Sequence, residues 1–333
     1  MQLNIEMYRK LLCNYIPVFA IFIISVLFLG CNEGPKVSEE VKKINIDLQV
    51  DRFDKEFAAA TPENLSVLKK KYPYLFPERY ADSVWVAKMK DTIQVELLSE
   101  VEKTFSNFSN QEQSLELLFQ HIKYYFPKFE TPKVVTVTSD VDYSNRVILT
   151  DTLLLIGLDN YLGSEHRFYR DIQNYISADL DSQYLAVDVA SAFAKKVVPG
   201  PQERTFLAQL IYYGKELYLK DRLLPLETDA QKVNYTEEQL LWSEANEQAI
   251  WRNFIENEYL YSTDNTLARR FLDPAPFSKF GLELDNESPG RVGRYIGWQI
   301  VKAFMDKNEV TLQQLLSLPA EEIFKKSNYK PRK

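Results

Sequence analysis

Two cysteines, two histidines and ten glycines are all that 333 residues hold of the types on which much enzyme chemistry is built. Cys13 lies in the N-terminal segment just before an apolar run and Cys31 follows that run, so the chain beyond residue 31 has no free thiol and no disulfide. Packing alone must hold that body together. Neither His121 nor His166 has a second histidine three or four residues away, the spacing that a His-Glu-x-x-His metal helix needs. No metal site and no cofactor is therefore expected, and each histidine reads as a partly buried or surface side chain. A Gly-x-Ser-x-Gly elbow and a Gly-rich phosphate loop after a strand are both missing.

Net basic charge is lacking too. Removing Arg9 and Lys10 from the 40 basic residues, and Glu6 from the 47 acidic ones, leaves 38 against 46, a formal −8. That balance argues against nucleic acid and against electrostatic attraction to anionic lipid. It also supplies so many carboxylates that a glycosidase-type pair has no particular address. Aromatic content of 13% points to a well-packed fold.

What is present begins at the N-terminus. Ile16 to Gly30 is a fifteen-residue run without charge, preceded by Arg9 and Lys10 and followed at once by polar residues. It is shorter than the roughly twenty residues of a membrane span and has the layout of a secretory signal. Leu27-Phe28-Leu29-Gly30-Cys31 reads as a lipobox, with small Gly30 at the cut and Cys31 as the acylated residue. We expect a signal peptide over 1–30, a polar tether over 31–43 and one periplasmic domain over 44–333, tied to the bilayer through Cys31.

The body reads as α+β, helix-rich, with one small sheet in the middle. Alternation at Ile44, Ile46, Leu48 and Val50 predicts a first strand passing into a helix near Phe53. Leu115, Leu118, Phe119, Ile122 and Phe126 lie at helical spacing, stopped by Pro127. Runs at 134–138, 146–149 and 153–158 are rich in β-formers and predict an antiparallel or mixed sheet. Helices are expected over 185–198 and 205–224, and from a Thr236/Gln239 capping box to Tyr261. Another should start at Ser288-Pro289, serine capping and proline in the first turn, and Thr311/Gln314 should cap the last pair.

Two helices stand out. In the first, Gly214 follows Tyr213 mid-helix, where glycine costs about 1 kcal/mol relative to alanine and implies close packing. The second has Gly290, Gly293 and Gly297 on a close-approach face, with Arg291 and Arg294 near its positive end. Those arginines call for an anion. Glu283, Asp285 and Glu287 nearby would serve, and so would a bound ligand. Arg291, Arg294, Tyr213 and Gly214 are thus the candidate ligand or packing cluster.

Together with the lipobox and Leu153-Leu-Leu-Ile-Gly-Leu-Asp-Asn-Tyr-Leu162, these helices (Gln209 to Lys215, Pro289 to Trp298) resemble the gliding-motility lipoprotein GldB family of Bacteroidetes. The resemblance implies an envelope lipoprotein, most naturally on the periplasmic face of the outer membrane, required for gliding and for the linked type IX secretion machinery. Its implied partners are other gliding and secretion proteins. It implies no catalytic residue. A weaker similarity points to predicted zinc-dependent peptidases of zincin-like fold. There Tyr213 stands in place of a metal-binding glutamate, and Asp188 to Ala192 in place of the histidine helix. If shared, that fold has lost its metal centre. Three readings follow: a non-catalytic contact component, a ligand- or peptide-binding lipoprotein using the former peptidase cleft, and a carboxylate-dependent envelope hydrolase.

Overall fold

The computed structural model describes residues 37–283 and 285–332. Cys31, the signal peptide and the first part of the tether lie outside the described residues. Of the tether, residues 39–42 form a short helix, α1 (Glu39–Lys42), capped by Ser38, and Val41 is buried against the body. The packed domain thus begins several residues before Ile44.

A four-stranded mixed sheet sits at the centre, in the order β1-β2-β4-β3. Strand β1 (Val50–Asp51) and β2 (Lys133–Val137) are parallel, as are β2 and β4 (Leu153–Gly157), while β3 (Val147–Leu149) runs antiparallel to β4 at the edge. The expected first strand shrinks to two residues. Ile44 and Ile46 still pack into the core, but outside any ladder. Period-two alternation covers both faces of the sheet. Val134, Leu154 and Ile156 face the main core, and Val135, Leu153 and Leu155 face a smaller cluster around Phe53, Tyr72 and Phe76.

That smaller cluster is roofed by α2 (Phe53–Ala58), α3 (Leu65–Lys71), α4 (Asp82–Lys90) and α5 (Thr92–Thr104). On the other face lie α6 (Ser109–Tyr125), then α7 (Asn174–Ser177), α8 (Leu185–Val197) and α9 (Phe206–Leu223). Helices α10 (Asp229–Val233), α11 (Glu237–Ala245), α12 (Glu247–Glu256) and α13 (Thr266–Phe271) follow, and the chain ends in α14 (Val292–Met305), α15 (Leu312–Ser317) and α16 (Ala320–Ser327).

The capping boxes at Thr236 and Thr311 form as the sequence predicts. Two boundaries differ. The helix expected to run to Tyr261 breaks at Asn246, whose side-chain amide donates to the Trp242 carbonyl at 2.8 Å, and Glu247 next to it is buried. Helix α14 starts at Val292, after Arg291 in a left-handed conformation (φ 63°), and not at Ser288. The Ser288 hydroxyl instead donates to the Asp285 carbonyl at 2.6 Å, and the cap is supplied by distant Ser278, whose hydroxyl oxygen accepts the Val292 amide at 3.3 Å.

Candidate functional site

Helix α9 is buried almost all round, yet Lys215, Glu216 and Lys220 lie on it. Tyr213, Glu216, Leu217 and Lys220 recur at i, i+3, i+4 and i+7, the spacing of one helix face. That face forms a wall of an open cleft of about 710 Å³, bounded also by β3, α8, the end of α10 and the turn into α14. Five cations line it (Arg146, Lys195, Lys220, Arg291, Arg294) against three carboxylates (Asp179, Asp188, Glu216). A cationic cleft in a chain of net charge −7 concentrates anions where the rest of the surface repels them.

The groups fall into two kinds. One is satisfied internally. Arg146 grips Asp188 as a fork, Nε to Oδ2 at 2.7 Å and Nη2 to Oδ1 at 2.8 Å, and the Tyr161 hydroxyl adds a 2.9 Å bond to the same carboxylate. Lys220 Nζ donates to the Lys232 carbonyl at 2.9 Å, and burial pulls its ammonium down to about 8. The Ser191 hydroxyl is spent on the Val187 carbonyl at 2.8 Å.

The other kind is not. Arg294 lies 4.1 Å over the Tyr213 ring and donates Nε to the Leu272 carbonyl at 2.6 Å. Among the described residues its two terminal NH₂ groups have no partner, and no carboxylate lies within ion-pair reach. Arg291 donates Nη2 to the Asn234 carbonyl at 2.7 Å, and its Nη1 is 3.9 Å from Asp179. Burial pushes the Asp179 carboxyl up, the arginines opposing it. Glu216 is 8% exposed, and its Oε1 is enclosed with no hydrogen-bond partner among the described residues.

Of the residues singled out in the sequence, the structure brings Arg291, Arg294 and Tyr213 together here. Gly214 faces away from the cleft, into the crossing with α14. Neither arginine pairs with Glu283, Asp285 or Glu287. The turn before α14 carries Arg291 toward α7 and Arg294 toward α13, so carbonyls and Asp179 meet them instead. Arg146, Asp179, Glu216 and Lys220 were missed as site residues. Charged side chains on a helix otherwise apolar all round could have flagged Glu216 and Lys220. Nothing local joins Arg146 to Asp188 across 42 positions.

Both histidines lie outside the cleft. His121 is buried on α6, its Nδ1 2.9 Å from the Leu117 carbonyl, and burial lowers its imidazole. His166 Nε2 lies 3.6 Å from Glu100. Among the described residues no three His, Cys, Asp or Glu side chains come together as a metal site. The zincin-like expectation places Tyr213 and the Asp188–Ala192 segment at one former centre. Asp188, Ala192 and Tyr213 line the same cleft.

A family model described as gliding motility protein GldB matches residues 34–331. The chain belongs to the GldB family. That places it among gliding-motility lipoproteins. No curated protein and no solved structure matches it. No described helix is long and apolar enough to cross a membrane.

Proposed function

We propose that this GldB-family lipoprotein is held at the envelope through acylated Cys31, on the periplasmic face of the outer membrane, and serves gliding by binding through the α8–α9–α14 cleft without turning over a substrate. The same contact role extends to the type IX secretion machinery. One observation carries the reading. The cleft offers two unpartnered NH₂ groups at Arg294, while its one serine hydroxyl near α8, Ser191, is engaged on a carbonyl and Asp188 is held in the Arg146 fork. An arrangement of unmet donors beside spent nucleophiles suits recognition of an anion.

Cells carrying Arg291→Gln with Arg294→Gln, at normal protein level and with an unchanged melting temperature, should stop spreading. Normal spreading by such cells sinks the reading. Cys31→Ala should release the body from membranes and reduce spreading in parallel.

A further inference from the structure

The edge strand β3 forms one wall of the cleft, and among the described residues its outer side carries no partner strand. Towards β4 the ladder uses alternate residues. The Arg146 carbonyl accepts the Gly157 amide at 2.8 Å, Ile148 pairs with Leu155, and the Thr150 amide donates to the Leu153 carbonyl at 2.8 Å. In an antiparallel pair the intervening residues direct their N–H and C=O the other way. Those residues are Val147 and Leu149, and both line the cleft. Among the described residues their four backbone groups make no hydrogen bond. A bare edge at a cleft is the arrangement that accepts an added strand.

Resting on the binding role given above, we propose that the cleft takes an extended peptide segment bearing a carboxylate, laid along β3 as a fifth strand. Arg294 and Arg291 take the carboxylate. Arg294 presents two unpartnered NH₂ groups, a planar fork suited to bidentate capture, and stacking on Tyr213 fixes its plane. A free phosphate or a simple sugar acid satisfies the arginines and leaves the strand edge unmet. The peptide meets both. Arg291, in the turn before α14, has a left-handed backbone (φ 63°) that a side chain with a Cβ rarely adopts, and it holds the carbonyl of Asn234, the left-handed C-cap of α10. Strain of the Arg291 kind gathers where a ligand is clamped.

Titration of Lys220 is coupled to this site. The groups facing it are Asp188 and Glu216, which raise its ammonium, and Arg291 and Arg294, which lower it. A carboxylate arriving beside it favours the charged form, so peptide affinity should fall as pH rises from 7 to 9.

The test is affinity selection of an N-acetylated random hexapeptide pool with free C-termini on the mature lipoprotein in detergent. Selected peptides should carry Asp, Glu or the terminal carboxylate at a defined position. Resynthesised, they should lose at least about tenfold in affinity against Arg294→Gln, as expected for a charge-assisted bond. N-methylation at alternate peptide positions should abolish binding, and at the intervening positions leave it intact. Three results overturn the proposal: no binding at about 1 mM, equal binding of amidated neutral peptides, or indifference to N-methylation at every position. If these occur while the double arginine variant still stops spreading, the ligand is another anion and the binding role stands. If that variant spreads normally, the binding role itself falls.

Discussion

Gly214 and Gly297 face each other where α9 crosses α14. A Cβ on Gly214 would lie 2.2 Å from the Gly297 carbonyl oxygen, and one on Gly297 would lie 1.9 Å from the Leu210 carbonyl oxygen. Both neighbours are backbone, so neither can swing aside, and the two helices must separate to admit a methyl group. This crossing holds Tyr213, Glu216 and Lys220 against Arg291 and Arg294, and so sets the width of the cleft. Gly297→Ala should therefore cost about 3 kcal/mol, at the top of the overpacking range. Chemical denaturation would measure it. Gly200, with open space around its Cβ position, is the control, and Gly200→Ala should be nearly silent.

The Arg146–Asp188 fork is partly buried, with side chains 15% and 11% exposed. Asp188→Ala strands a guanidinium and deprives the Tyr161 hydroxyl of its acceptor. The loss should reach about 3–5 kcal/mol. Arg146→Met combined with Asp188→Leu should lose clearly less than the two single changes added together, which a double-mutant cycle in urea would show.

Lys215 and Lys220 are both pulled down by burial to about 8. An unfolded lysine titrates near 10.4, so between pH 8 and about 10 the unfolded chain binds more protons than the native one. Stability contributed by these sites therefore rises with pH across that window, and the cost of burying two charges is fully present below pH 8. Above about pH 10 the buried tyrosines reverse the trend, since burial raises Tyr161 and Tyr295 and the unfolded phenols ionise first. Lys220→Met should flatten the slope between pH 8 and 10 by close to one proton. An unchanged slope would contradict the assignment.

Glu247 is almost fully buried and accepts the Tyr295 hydroxyl at 2.8 Å, the Tyr329 hydroxyl at 2.7 Å and the Arg332 amide at 3.1 Å. It is the clasp that ties the chain end to α12 and α14. Glu247→Ala leaves two buried hydroxyls without an acceptor and should cost about 2–4 kcal/mol. The C-terminal segment from about Ser327 should then become the first site of limited proteolysis.

Sequence reading served best where the physics is local. Strand positions came from β-branched runs, Thr236 and Thr311 from capping chemistry, and the α6 stop from a proline that cannot continue a helix. It failed at Asn246, whose side chain turns back on the Trp242 carbonyl inside the expected helix, and at Ser288, which is held by the Asp285 carbonyl while Ser278, fourteen residues before Val292, supplies the cap. Sheet order was equally out of reach, since β3 is the edge strand only because β4 inserts beside β2, and register carries no local mark.

By itself, then, the sequence determined the α+β class, the spacing that puts Tyr213, Glu216 and Lys220 on one helix face, and the glycines that permit a tight crossing. The tertiary structure alone decided that this face meets Arg291 and Arg294, that Arg146 finds Asp188, and that the free edge of β3 opens onto the same space. Periodicity and capping act within a turn or two of helix, whereas a cleft is made by residues brought together from positions more than a hundred apart.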